Sequence, residues 1–384
     1  MRTLFEPEHE AFRESFAQFV AKELVPDYLQ WEADGIVPRD VFRRAGQFGF
    51  LGMAIPEQYG GGGVDDFRFN QVIAEEGAAA GVTGAIAGIT LHNDVCTPYF
   101  TEYCTPEQAE RWMPGIASGE LITAIAMTEP GTGSDLAGVA TTAVRDGDEY
   151  VLNGSKTFIT NGINADVVIV VARTAPEDPR QRHLGMSLLV VERGMRGFER
   201  GRNLDKIGLH SQDTAELFFS DVRVPVSNLL GEEGRAFAHL SHNLAQERLS
   251  IAVYGVAMAR SAVRWALEYV QERKAFGTTI GSFQNTKFVL AECQTEVDVT
   301  QAFVDQCVQA HVRKQLSAAD AAKAKMWATQ VQQRVIDKCL QLFGGYGYMT
   351  EYPIARAYAD ARVTSIYGGT NEVMKTIIAK SMGL

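Results

Sequence analysis

The pattern of apolar and polar positions divides this 384-residue chain into three stretches. Up to about residue 118 apolar residues recur at helical spacing. Phe12, Phe16, Phe19 and Val20 mark one helical face, and residues 41–50 supply another. The text IPEQYGGGGVD (55–65) is a turn or loop, because four consecutive glycines break any regular element. FRFNQVIAEEGAAAGVTGAIAGITLHND then reads as a helix leading into a second, small-residue-rich one, and Pro106 opens another behind Thr105 as N-cap. From about 120 the pattern changes to short β-branched runs, such as DVVIVVART and TAELFFSDVRVP, separated by Asp-Gly and Asn-Gly turns. From about 230 helical periodicity returns and lasts to the end. The expectation is an α+β protein in three parts: an N-terminal helical domain over 1–118, a central β domain (sandwich or barrel) over 119–228, and a helical bundle over 229–384.

The longest periodic run extends from about Glu233 to Gly277 without a proline, its apolar stripe passing through Leu240, Leu244, Ile251, Tyr254, Met258, Ala262 and Trp265. Glu247 falls on that stripe. A carboxylate facing packed neighbours has its pKa raised and is a candidate proton acceptor. A buried Glu held by an ion pair or hydrogen bonds is the commoner case, and Arg248 is no direct partner, since adjacent helical residues point about 100° apart.

Composition narrows the function classes. Hydrophobic residues make up 46% of the chain and charged residues 22%, the balance of a soluble globular protein. A net charge of −11, with no basic arm, argues against nucleic-acid binding. Five scattered cysteines without a C-x-x-C pair suit a reducing compartment. The acidic, amphipathic start lacks targeting character and no apolar run reaches membrane-spanning length, so the expected location is cytoplasmic. No metal site is expected, because His239 and His242 lack a matching carboxylate for a usual triad.

Four stretches have the character of ligand contacts. AMTEPGTGSDLAG (126–138) joins a strand end to a Gly-rich loop that offers N–H groups and the hydroxyls of Thr128 and Ser134. TFITNG (157–162) is a strand end with an aromatic and a turn. ERKAFG (272–277) closes the long run with cations, and residues 341–375 carry three Gly-rich turns in a helical context. Taken singly, each is satisfied by an ordinary loop or helix end.

Taken together and in order, AMTEPGTGSD, NGSKTFITNG, DKIGLHSQDTAELFF, ERKAFG, QLFGGYGY and YGGTNEVMK closely resemble the acyl-CoA dehydrogenase family over the whole chain. The resemblance implies helical, β and four-helix-bundle domains, a homotetramer (dimer of dimers), FAD as cofactor, and an electron-transferring flavoprotein as acceptor. It implies FAD contacts at Met127, Thr128, Gly133, Ser134, Phe158 and Thr160. Arg273, Phe276 and Gln284 would meet the FAD phosphates and adenosine, with the turn carrying Gln341, Gly344 and Gly345 helping from a neighbouring subunit. Thr370 and Glu372 would lie near the cofactor, and Ser134, Leu244, Arg248 and Gly369 would meet the acyl-CoA.

One departure is informative. Many members carry the catalytic Glu in an IYEGT motif, where this chain has Gly368; a minority branch, the long-chain enzymes among them, carries it on the long helix. LAQERL resembles that branch, which implies Glu247 as the base and the Gly368 N–H, with an FAD ribityl hydroxyl, as oxyanion donors. The implied reaction is dehydrogenation of a medium-to-long or branched acyl-CoA to the trans-2-enoyl-CoA in fatty acid β-oxidation. The rivals are a flavin monooxygenase of the same fold and a non-catalytic degenerate subunit. The small residues Ala78, Ala79, Ala80, Gly81, Gly84, Ala85, Ala87 and Gly88 are consistent either with a deep acyl channel or with close helix packing.

Overall fold

The helix Ala236–Glu272 is the axis on which everything else packs. It belongs to a computed structural model that describes residues 2–384. Its 37 residues hold Ala252, Val256, Ala259 and Ala262 against Ala324, Ala328 and Val331 of the helix Ala318–Leu342, so small side chains bring the two backbones close. The helices Gln284–Val312 and Asn371–Ser381 complete the bundle. From the N-terminal part, Phe67, Ala74 and Ala78 of the helix Phe67–Ala80 join this core. The near end of the long helix reaches the β region through Ala236 and Leu240, which pack with Val167, Ile169 and Leu188. One helix therefore contacts all three parts.

The N-terminal helices end where their caps dictate. Asp66 accepts from the Arg68 N–H to start Phe67–Ala80, and Thr105 with Gln108 forms a capping box, led by Pro106, for Pro106–Ser118. The central part is one mixed eight-stranded sheet. Strands Val167–Arg173 and Met186–Glu192 are buried on both faces, as their unbroken apolar text requires. Val167, Ile169, Val171, Leu188 and Val190 face the helices. Val168, Val170, Leu189 and Val191 face Tyr150, Leu152, Leu217 and Phe219 of the other half-sheet, which gives the sandwich.

One expectation needs correction, and one open alternative is decided. The periodic run does not stay helical to Gly277: the helix stops at Glu272, Arg273 is extended, and Lys274–Ala275 pairs with Thr278–Thr279 as a small hairpin. Arg273 is thus an exposed hairpin cation rather than a charge on the last helical turn. The small residues of 77–88 serve close packing rather than a channel. A Cβ on Gly77 would overlap Ile86, one on Gly84 would overlap Ser211, and one on Gly88 would lie 2.8 Å from Asn161 Oδ1. Of the small residues named for a channel, Ala87 alone lines the cavity described next.

Candidate active site

Between the β region and the long helix lies a cavity of about 320 Å³. Its walls come from stretches far apart in sequence: Met127, Thr128, Gly133 and Ser134; Phe158 and Thr160; Leu244, Glu247 and Arg248; Gly368 and Gly369. All of these are residues that the sequence singled out. Apolar walls are added by Ile86, Leu91, Val95, Ile125 and Ile251.

A buried ion pair fixes the first two stretches to each other. Lys156, fully buried, donates to Glu129 Oε1 at 2.8 Å and to the Met127 carbonyl at 3.1 Å. Glu129 also accepts from the Ala140 and Thr141 N–H groups, so its charge is well satisfied and its carboxyl stays below the usual range despite burial. The Thr157 N–H donates to the Thr128 carbonyl. Just beyond, the strand register slips between Lys156 and Ile159, and Phe158 sits at φ +59° with 68% of its surface exposed. A non-glycine residue held in that region costs on the order of 1–2 kcal/mol. The bulge aims an aromatic ring and backbone at the cavity mouth, a feature that accumulates at ligand sites.

Glu247 is 5% exposed and its Oε1 accepts a 3.0 Å hydrogen bond from the Tyr99 hydroxyl. Burial raises its pKa to about 7, against the opposing pull of the Tyr99 bond and of the nearby Arg248 charge. Tyr99 lies 148 residues away on the helix Thr97–Tyr103, and nothing in its local text marks it. The one sequence signal that bears on it is the buried Glu itself, which demands a donor. Arg248 is 7% exposed, lines the same cavity, and its Nε has no partner. A buried guanidinium with an orphaned donor fits a site that receives a polar ligand.

Gly368 sits at φ +61° and Gly369 at φ +88° in the turn that precedes the helix Asn371–Ser381. A Cβ at 368 would overlap Ile251 Cδ1 from the long helix. The missing carboxylate of the IYGGT text and the side chain one turn beyond Glu247 therefore fit together sterically. Sequence reasoning overlooked Ile251 as a partner of that turn, as it did Tyr254 and Gln212 on the cavity wall.

The remaining candidates lie elsewhere. Thr370 caps the last helix by accepting from the Val373 N–H, and exposed Glu372 faces Lys375; neither lines the cavity. Arg273, Gln341, Gly344 and Gly345 line a second, open pocket of about 560 Å³, where the Arg273 guanidinium stacks on Tyr346. Gln284 is exposed and Phe276 is 96% exposed. Arg273 and the Gln341–Gly345 turn of one chain thus lie side by side.

The helical, sheet and helical parts thus meet around a cavity lined by a buried carboxylate, Glu247, and by the Gly368–Gly369 turn. Three family models for acyl-CoA dehydrogenases match in succession: the N-terminal domain over residues 6–120, the middle domain over 124–222 and the C-terminal domain over 234–383. The chain belongs to the acyl-CoA dehydrogenase family, a family of flavoproteins. It is 50% identical over 382 residues to the mitochondrial long-chain specific acyl-CoA dehydrogenase of Sus scrofa, covering 100% of this chain and 88% of that one. It superposes on an acyl-CoA dehydrogenase from Geobacillus kaustophilus with a TM-score of 0.97 at 48% identity, both chains covered fully. A glutaryl-CoA dehydrogenase from Mycobacterium smegmatis in complex with FADH2 has a TM-score of 0.91 at 26% identity, over 99% of this chain and 95% of that one. Among the described residues no helix is long and apolar enough to cross a membrane.

Proposed function

We propose that this acyl-CoA dehydrogenase oxidises a medium-to-long or branched fatty acyl-CoA to its trans-2-enoyl-CoA, with Glu247 as the base. The observation that carries the reading is that Glu247, its pKa raised to about 7, shares one cavity with the Gly368–Gly369 turn. A base titrating near working pH is present as carboxylate and still strong enough to take a proton. Glu247 removes the α-proton, and the Gly368 N–H stabilises the negative charge that develops on the thioester oxygen. One such donor is worth roughly 10²–10³ in rate in enzymes where it has been removed. The apolar wall from Ile86 to Val95 and Ile251 holds the acyl chain and keeps water from the base. Arg248, with its unpartnered Nε, meets the thioester end.

FAD fits the residues present: Met127, Thr128, Gly133, Ser134, Phe158 and Thr160 would hold its ring end, and bound there it supplies the acceptor of the β-hydride. Arg273, Phe276, Gln284, Gln341, Gly344 and Gly345 would together hold its phosphate and adenosine end from a neighbouring subunit of a homotetramer, a dimer of dimers. Their shared exposure on one chain supports this, since Phe276 at 96% and Tyr348 at 84% exposure are apolar surface awaiting cover. Thr370 and Glu372 lie at the edge of that cofactor site. An electron-transferring flavoprotein would take the electrons onward.

A chain-length series of saturated acyl-CoAs, assayed with a dye acceptor and product analysis, tests the reading. The expected result is a trans-2-enoyl-CoA from substrates of medium or greater length. Turnover confined to short chains would overturn the length assignment, and no turnover of any acyl-CoA would overturn the reaction.

A further inference from the structure

Lys325 is fully buried on the helix Ala318–Leu342, and the reaction as described makes no use of it. Its ammonium donates to the Gly369 carbonyl at 2.7 Å and to Asn371 Oδ1 at 3.2 Å. Asn371 is itself buried and tied to Thr329 through a 3.2 Å bond. Both acceptors of Lys325 are uncharged, and among the described residues no carboxylate pairs with it. The charges that act on it are Arg248, which repels it, and exposed Glu372, which attracts it; burial and Arg248 lower its pKa to about 8. Its position is unfavourable for a second reason. Gly369 and Asn371 stand at the N-terminus of the helix Asn371–Ser381, where the helix dipole already places positive potential.

A buried cation without a carboxylate, set at the positive end of a helix, is a costly way to fill space that a methionine would fill. What the arrangement does achieve is geometric and electrostatic at one point. It fixes the Gly369 carbonyl of the Gly368–Gly369 turn and places a positive charge beside it.

Resting on the assignment of Gly368 as oxyanion donor, we propose that Lys325 is a positioning residue. By holding the Gly369 carbonyl it sets the Gly368 N–H for the thioester oxygen, and its buried charge favours the negative charge that collects there.

The test uses full-length, FAD-loaded Lys325→Met and Lys325→Gln. Each is measured for FAD content and melting temperature, for acyl-CoA affinity, and for the limiting rate of flavin reduction. A bound aryl-substituted 2-enoyl-CoA, whose absorption moves to longer wavelength as its carbonyl is polarised, reports on the turn directly. Lys325→Met is expected to lose about tenfold to a hundredfold in limiting rate and most of the spectral shift, with affinity changed less than about threefold. Lys325→Gln, which keeps an N–H donor but no charge, is expected to fall between Met and wild type. Should the Met protein fail to hold FAD, the Gln protein decides. A rate within about threefold of wild type with the full spectral shift in FAD-loaded protein overturns the proposal. So does a loss that merely follows FAD content. Glu247→Gln in the same assay separates the two claims: if it reduces its flavin normally the base assignment fails, whereas an inert Glu247→Gln beside normal Lys325 variants sinks only the role of Lys325.

Discussion

The Tyr99 hydroxyl donates to Glu247 Oε1 at 3.0 Å, joining a helix of the N-terminal region to the proposed base on the long helix. Both side chains are buried, and burial holds the phenol well above its usual pKa, so it stays a neutral donor throughout the working range. A donor to a carboxylate favours the ionised form and opposes the desolvation that drives Glu247 upward. Tyr99→Phe is therefore expected to move the rising limb of kcat/KM against pH to higher pH. Activity at pH 6 should fall by about tenfold, while activity at pH 9 stays within about threefold. An unshifted profile would show that the hydrogen bond does not tune the base.

The same titration has a consequence for stability. The Glu247 carboxyl goes from an ordinary value of 4.5 to about 7 on folding, so the folded protein keeps a proton that the unfolded chain releases. Stability is then greatest below the unfolded value, declines as pH rises from 4.5 to about 7, and is level above that. At one pKa unit per 1.36 kcal/mol, the loss is on the order of 3 kcal/mol. Glu247→Gln does not titrate. In thermal melts of FAD-loaded protein it should match wild type near pH 5 and exceed it near pH 8. A wild-type advantage at pH 8 would contradict the burial of an ionisable base.

Moving the base across the cavity is limited by one methyl group. Gly368 and Glu247 line the same space, but a Cβ at 368 would overlap Ile251 Cδ1, and the residue must adopt φ +61°. Glu247→Thr with Gly368→Glu is therefore expected to remain nearly inactive. Adding Ile251→Val removes the obstructing atom and should raise flavin reduction at least about tenfold over the double variant. The backbone strain of about 1–2 kcal/mol still holds it below wild type. Equal activity of the double and triple variants would show that Ile251 does not exclude a side chain at 368.

What the sequence disclosed and what it hid follow from the range of the interactions. The change near residue 120 from helical spacing to short β-branched runs broken by Asp-Gly and Asn-Gly turns marks the sheet, because run length and turn residues are local signals. Glu247 was legible for the same reason, as a carboxylate on an apolar stripe. The glycine stretch at 77–88 was ambiguous, since small residues serve helix packing and open channels alike, and only the positions of Ile86, Ser211 and Asn161 decide. Tyr99, Ile251 and Lys325 were out of reach. Each acts on a residue in a distant or facing element, across a contact that no periodicity encodes.

Glu247 is the residue proposed to take the α-proton. The most direct measurement of that role is anaerobic addition of a long-chain acyl-CoA to FAD-loaded Glu247→Gln, following the flavin absorbance. The expected result is an FAD-loaded, folded protein that binds the acyl-CoA yet bleaches at less than about one thousandth of the wild-type rate. Bleaching at the wild-type rate would contradict the account and place the base on another residue.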